Sequence, residues 1–143
     1  MKFSLHPALA RDTVPISRLG GTRLLLMNDS RFIWCVLVPE YPGLRELHEL
    51  PQPQRSAFLE LVCQLSANLH TAFDAEKMNV AALGNRVPQL HVHIVVRHSA
   101  DAAWPDPVWG VGAAVPWETS ALAEVIPRVR GCAAALDSGP QSL

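Results

Sequence analysis

The sequence contains few cysteines, and those present form no recognisable pattern. Cys35, Cys63 and Cys132 are odd in number, far apart and without CxxC spacing. Such a set favours neither a disulfide framework nor a zinc-binding knuckle. Cys35 and Cys63 each lie within an apolar pattern, which predicts that both are small core residues.

Neither sign of charge is in excess, and long apolar runs are missing. Twelve Lys and Arg residues against thirteen Asp and Glu give a formal net charge of −1. Proteins that hold nucleic acid polymers use a basic excess, so no nucleic-acid partner is expected, whereas a small phosphate ligand needs only a few aimed donors. There is no run of about 18 apolar residues and no apolar leader, which predicts a cytoplasmic protein without a membrane partner.

The chain is 49% apolar, a composition typical of globular proteins, and its 143 residues fit one domain, residues 1–143. The clearest element is an amphipathic helix from about 53 to 73, in which apolar residues recur with the spacing i, i+3, i+4, i+7. The other predicted elements are an apolar hairpin on either side of residues 28–30, strands at 78–83 and 88–96, and a weaker helix at 118–136 that Pro127 kinks or splits.

The order of these elements predicts an α+β fold with an antiparallel sheet of about five strands, packed by one long helix and a weaker C-terminal helix. A βαβ crossover through the long helix is the alternative. The first twenty residues, interrupted by proline and glycine, are predicted to be irregular, as is the Trp/Pro segment 103–110. The tail after residue 137 is predicted to be frayed.

Two histidines alternate with apolar residues in the last predicted strand. Since successive side chains of a strand point to opposite faces, Gln89, His91 and His93 share one face at intervals of roughly 6.6 Å, and the residues between them face the core. Such a pair is a chance feature of an exposed face, part of a metal site, or a catalytic pair. A metal site would need a third ligand, and no nearby Cys, Asp or Glu pattern supplies one.

The segment 84–97 resembles the signature of the histidine-triad (HIT) family, and the similarity extends over about residues 24–110. The signature is a glycine, a glutamine, two further residues and then three histidines alternating with apolar residues. Two positions depart from it, since Gln89 stands at the first histidine and Asn85 at the glutamine. The positions that match are Gly84, Val87, His91, His93, the alternating apolar residues and Arg97.

The resemblance implies hydrolysis or transfer at the α-phosphate of a nucleotide derivative, either a nucleoside phosphoramidate or a dinucleoside polyphosphate. His91, the middle histidine, would attack phosphorus and form a nucleotidyl-histidine. A backbone carbonyl near Gly84 would hold the other nitrogen of His91 protonated. His93 would donate to a phosphoryl oxygen or to the leaving group.

The resemblance also implies contacts to the substrate. Asn85 would donate an amide hydrogen to the phosphate, and Gln89 would form hydrogen bonds without titrating, which alters orientation or substrate preference. His48 matches a histidine that lies beside the phosphate in the family, with an ordinary exposed loop histidine as the alternative. Asn28 is the candidate for the ribose hydroxyls, with a turn-capping role as the alternative.

Three tryptophans and one arginine have less specific expectations. Trp34 is predicted to pack in the core, and Arg97 to pair at the end of its strand. Trp104 and Trp109 are candidates for substrate contacts, with half-buried packing as the alternative.

The resemblance implies a homodimer and a purine nucleotide substrate, with no cofactor and no metal. Two other functions stay open. One is a nucleotide-binding module with little or no turnover, in which Gln89 has cost the protein its catalysis. The other is a metal-binding protein that uses His91 and His93.

Overall fold

The computed structural model describes residues 1–137 of the chain. Its elements are α1 (Pro7–Asp12), β1 (Thr13–Leu19), β2 (Thr22–Met27), β3 (Ile33–Pro39), α2 (Gln54–Ala72), β4 (Lys77–Ala81), β5 (Val92–Arg97) and α3 (Thr119–Asp137). A one-turn 3-10 helix, Leu47–Glu49, precedes α2. The predicted α+β class is confirmed, and the tail predicted to be frayed lies outside the described residues.

The five strands form one sheet in the order β1-β2-β3-β5-β4, and each pair of neighbours is antiparallel. The predicted antiparallel sheet is therefore confirmed. Strands β3 and β4 run in the same direction because β5 lies between them. Helix α2 connects β3 to β4, and β5 lies between these two strands in the sheet.

The two faces of the sheet are covered differently. Helices α2 and α3 pack on one face, and the apolar stripe predicted for the long helix is buried there, as Phe58, Leu61, Val62, Leu65 and Leu69. On the other face, residues of β2, β3 and β5 pack with α1 and with the segment that follows β5. This second face carries the site described below.

The prediction that the first twenty residues are irregular is wrong. Pro7 occupies the first turn of α1, where its missing N–H costs nothing, and His6 caps the helix because its Nδ1 accepts a hydrogen bond from the Ala8 N–H at 3.1 Å. Residues 20 and 21 form a two-residue turn between β1 and β2, in which Gly20 adopts a φ of 61°. Pro15 is tolerated because β1 is an edge strand with a register shift beside it.

Three further predictions need correction. The last strand is 92–97 rather than 88–96, because pairing with β3 begins only at Val92. Cys63 is exposed, since the residue after the buried Val62 turns away from the sheet. Of the kink or split predicted at Pro127, the split is wrong, because helix α3 continues through Pro127 and its packing on α2 and β1 outweighs the proline's local cost.

Candidate active site

Strand β5 and the residue before it place two imidazoles on the second face of the sheet. The apolar residues Leu90, Val92 and Ile94 point into the core under α2, as the alternation predicts. His91 and His93 are nonetheless 6% and 4% exposed, and their ring centroids are 4.8 Å apart. Because both rings are buried, the hydrogen-bond partner of each Nδ1 determines which ring nitrogen carries the hydrogen.

The partner of His91 fixes its tautomer. Its Nδ1 lies 2.7 Å from the backbone carbonyl oxygen of Gln89. A carbonyl oxygen only accepts, so Nδ1 carries the hydrogen and Nε2 carries the lone pair. The prediction of a carbonyl near Gly84 is wrong, because the partner is the carbonyl of Gln89, and Nε2 is left with a lone pair.

The partner of His93 fixes the opposite tautomer. The indole N–H of Trp34 donates to Nδ1 of His93 at 2.9 Å, which leaves the hydrogen on Nε2. Burial, together with the neighbouring His91, lowers the pKa of His93 from 6.5 to about 3. His93 is therefore neutral at neutral pH and offers an N–H donor. Trp34 is buried, as predicted, but it also orients this histidine.

Substituting Trp34 by phenylalanine is expected to lower kcat for any reaction at this site by about tenfold, the scale of one lost hydrogen bond. The change keeps the aromatic packing and removes the only indole donor to Nδ1 of His93. Nitrogen-15 NMR of the imidazoles should show His93 as a single tautomer in the wild type and as a mixture in the variant. A variant with the wild-type tautomer and wild-type kcat would contradict this role, and the Trp104→Phe variant is the control.

A cluster of aromatic rings surrounds His93. Trp109 contacts it edge-on with ring centroids 5.2 Å apart, and Trp34 and Trp109 are 5.8 Å apart. The indole nitrogen of Trp109 is buried and has no hydrogen-bond partner among the described residues. Trp104 lies elsewhere, with its ring against Arg97. Only Trp109 of the two candidates is therefore placed to contact a ligand at the histidines.

One cavity opens at the histidine pair, and a second cavity adjoins it. His91 and His93 line one of about 420 Å³, together with Asn85 and Trp109. Asn28 lines the other, of about 500 Å³. Small-molecule sites commonly measure roughly 300–1,000 Å³. The two cavities adjoin, since four residues line both: Asp12, Met27, Arg86 and Gly110.

The structure places the remaining predicted residues unequally. The side chain of Gln89 is half-buried and bonds the N-terminal segment. The side-chain oxygen of Asn28 accepts a hydrogen bond from the backbone N–H of Trp117 at 2.9 Å. Asn28 therefore both holds a loop in place and lines a cavity. Its neighbour Asp29 is buried and pairs with Arg31. His48 is exposed on the 3-10 helix and lines neither cavity.

Some residues at the site escape sequence reasoning. Arg86 lines both cavities and has no carboxylate partner within residues 1–137. Its position next to Asn85, in the loop where Gly84 adopts a φ of 81°, is the one available signal. Ala8, Leu9 and the other cavity-lining residues of α1 come from a segment that carries no motif.

Arg97 lies at the end of β5, as predicted, and it pairs there. Its guanidinium donates to the carboxylate of Asp101 at 2.8 Å and to the side-chain oxygen of Asn79 at 2.7 Å. It is 2% exposed. The arginine therefore holds the segment after β5, which carries Trp109, and does not face the cavities.

Two features typical of other classes of function are missing from residues 1–137. No helix among them is both long and apolar enough to span a bilayer. No three side chains of His, Cys, Asp or Glu lie together in a way that could hold a metal ion, so in residues 1–137 the histidine pair lacks a third ligand.

A family model described as HIT domain matches residues 11–100 of the chain. A comparison with curated protein sequences gives no significant match.

Several solved structures are similar to this one. A histidine triad protein from Marinobacter aquaeolei VT8 is 42% identical, with a TM-score of 0.93, and the alignment covers 95% of this chain and 99% of that one. A histidine triad protein from Bradyrhizobium japonicum is 37% identical, with a TM-score of 0.89 and coverage of 92% and 98%. A hypothetical histidine triad nucleotide-binding protein from Sulfolobus tokodaii strain 7 shares the fold, at 14% identity, a TM-score of 0.66 and coverage of 92% and 91%.

Proposed function

The chain belongs to the HIT domain family, and on that premise we propose that it is a nucleotide hydrolase or transferase. It acts at the α-phosphate of a nucleoside phosphoramidate or a dinucleoside polyphosphate, through a nucleotidyl intermediate on His91. One observation carries the proposal, the opposite tautomers of the two buried histidines. His91 presents a lone pair on Nε2, and His93 presents an N–H on Nε2.

The first step forms a bond from Nε2 of His91 to the α-phosphorus and breaks the bond from phosphorus to the leaving group. Nδ1 of His91 keeps its hydrogen, and the carbonyl of Gln89 stabilises the positive charge that the ring acquires. A leaving amine takes its proton from solvent. In the second step water attacks phosphorus, the bond from phosphorus to Nε2 of His91 breaks, and one proton of the water passes to solvent. The nucleoside monophosphate is released and His91 is restored to its neutral form.

His93 stabilises the phosphoryl group in this scheme. A neutral imidazole whose pKa is lowered to about 3 is a poor proton donor to a leaving group, because losing its hydrogen would create an anion. It is a good hydrogen-bond donor to a phosphoryl oxygen, because its ring is buried and already oriented by Trp34. Of the two roles expected for His93, the contact to the phosphoryl oxygen is therefore the one we propose.

Charge and shape around the histidines support a nucleotide ligand. Arg86 lies where the two cavities join and supplies a cation without an internal carboxylate partner in the described chain, which suits a phosphate. Asn85 adds an amide beside it. Trp109 has an indole N–H without a partner among residues 1–137, and Asn28 lines the second cavity, where we place the nucleoside. A purine substrate, a homodimer and a cytoplasmic location stay predictions.

The test is to mix the wild-type protein briefly with an adenosine phosphoramidate, quench at alkaline pH and measure the intact mass. We expect the addition of one adenylyl group, localised to His91 by peptide mapping and lost on mild acid treatment. A dinucleoside polyphosphate in a parallel reaction tests the leaving group. Calorimetry with AMP measures binding independently of turnover.

The runner-up function is a nucleotide-binding module with little turnover. It is favoured if AMP binds but neither substrate gives an adduct or a product. Absence of both binding and turnover would reject the two nucleotide functions together.

A further inference from the structure

Gln89, which stands where the family signature has its first histidine, bonds a distant part of the chain. Its side-chain Oε1 accepts a hydrogen bond from the His6 N–H at 2.9 Å, and its Nε2 donates to the Ser4 carbonyl at 2.9 Å. An N–H can only donate and a carbonyl can only accept, so these two partners fix the orientation of the amide. The two bonded residues, His6 and Ser4, are 83 and 85 positions away from Gln89 in the sequence.

We call residues 3–12 the N-terminal arm. Phe3 and Leu5 pack against the apolar residues on the second face of the sheet, and Leu9 is buried among them. Leu5 lies between the two backbone groups that Gln89 bonds, so the arm is held by the amide and by apolar packing. The arm then begins α1 at Pro7.

The arm forms part of the wall of both cavities. Ala8, Leu9 and Asp12 line the cavity of His91 and His93. Arg11 and Asp12 line the adjoining one. Whatever occupies these cavities is therefore bounded by the arm.

An amide suits this clamp better than an imidazole does. The oxygen and nitrogen of a glutamine amide sit on one carbon, so they can pair with a C=O and an N–H two residues apart, as a neighbouring strand would. The two nitrogens of a neutral histidine project from different sides of the ring, and one ring cannot pair with both groups in this way.

We propose that Gln89 is a positioning residue, whose side chain clamps the N-terminal arm as a wall of the nucleotide cavity and takes no part in proton transfer. Its backbone carbonyl orients the nucleophile His91 while its side chain sets the shape of the site. The inference rests on the proposed nucleotide function. It explains why a glutamine at this position is compatible with an intact histidine pair.

The test compares Gln89→Ala and Gln89→His with the wild type. Gln64→Ala is the control, because Gln64 is a half-buried glutamine of α2, as Gln89 is half-buried, and within residues 1–137 its amide bonds only Glu60. Without nucleotide, hydrogen exchange at the His6 amide should become faster in both Gln89 variants. The Kd for AMP and the KM should rise about tenfold, which is less than the full effect of two lost hydrogen bonds because only one wall of the site is released, and kcat should fall by less. Gln64→Ala should match the wild type throughout.

The histidine variant separates this role from a catalytic one. If Gln89→His raises kcat and leaves the His6 amide protected, the proposal is wrong. If exchange at His6 accelerates but the AMP Kd does not change, the arm is clamped but is no wall of the site, and the proposal is also wrong. A wild-type protein with neither AMP binding nor turnover would reject the proposed function, whereas AMP binding and KM values that are equal in wild type and variants reject only this inference.

Discussion

Replacement of His91 by alanine is expected to lower kcat by roughly 10⁴-fold or more, which corresponds to about 5 kcal/mol of transition-state stabilisation. No other group among the cavity-lining residues presents a lone-pair nitrogen beside a neutral N–H donor. Affinity for AMP should change little, because the nucleoside is proposed to occupy mainly the adjoining cavity. The adenylyl adduct should be absent from this variant.

Steady-state hydrolysis of an adenosine phosphoramidate, with calorimetry for AMP, measures both quantities. His93→Ala is expected to lose roughly 10²–10³-fold in kcat, the scale for one donor to a developing charge, and should still form the adduct. His70→Ala is the matched control, since this histidine of α2 is exposed and contacts the carbonyl of Ala75. An alanine variant of His91 that keeps kcat within tenfold of the wild type would remove His91 as the nucleophile.

The pH dependence of turnover gives a second reading of the same site. Because the pKa of His93 is lowered to about 3, this residue stays neutral and should give no ionisation step in kcat between pH 5 and 8. Protonation of His93 below about pH 4 would break its bond from Trp34, since both nitrogens would then carry hydrogens.

Local sequence periodicity accounts for the parts of the fold that were predicted correctly. The stripe from Phe58 to Leu69 specifies one buried helix face, and the alternation from Leu90 to Ile94 specifies which residues enter the core. Both patterns depend on neighbours within a few residues. They therefore predicted the long helix and the orientation of the histidines, but not the burial of the imidazoles or the element bounds.

The parts that were missed depend on contacts between distant residues. Pro7 and Pro15 suggested irregular structure, but a helix start and an edge strand both accept proline. Nothing near Gln89 in sequence indicates that its amide bonds Ser4 and His6. The bond from Trp34 to His93 likewise spans 59 residues, and it arises because β3 and β5 are neighbours in the sheet.

The largest expected effect on stability comes from the buried pair of Arg97 and Asp101, whose side chains are 3% and 7% exposed. Asp101→Asn is expected to lower the free energy of unfolding by about 3–5 kcal/mol, because it leaves the guanidinium of Arg97 buried without a counter-charge. Urea unfolding with an unchanged m-value measures the loss. The control is Asp12→Asn, which breaks the exposed pair with Arg11 and should cost about 0–1 kcal/mol.

The same substitution has a defined pH dependence. Burial alone would raise the pKa of Asp101, but the hydrogen bonds from Arg97 and from the backbone N–H groups of His98, Ala103 and Trp104 lower it from 3.8 to about 2. The stabilisation is therefore fully present above pH 4 and is lost as the pH falls from about 4 to about 2. The difference in unfolding free energy between the wild type and Asp101→Asn should shrink over that interval, and a difference independent of pH would show that charge is not its cause.

A double-mutant cycle measures the coupling between Arg97 and Asp101. Replacing Arg97 by methionine together with Asp101 by leucine should lower the free energy of unfolding by less than the sum of the two single changes, because neither charge is then left unpaired.

Asp101 also accepts hydrogen bonds at the start of the segment that places Trp109 against His93. Asp101→Asn should therefore raise the KM for the nucleotide as well as lower stability. An unaltered KM in a folded, destabilised variant would show that Trp109 is held by its own packing.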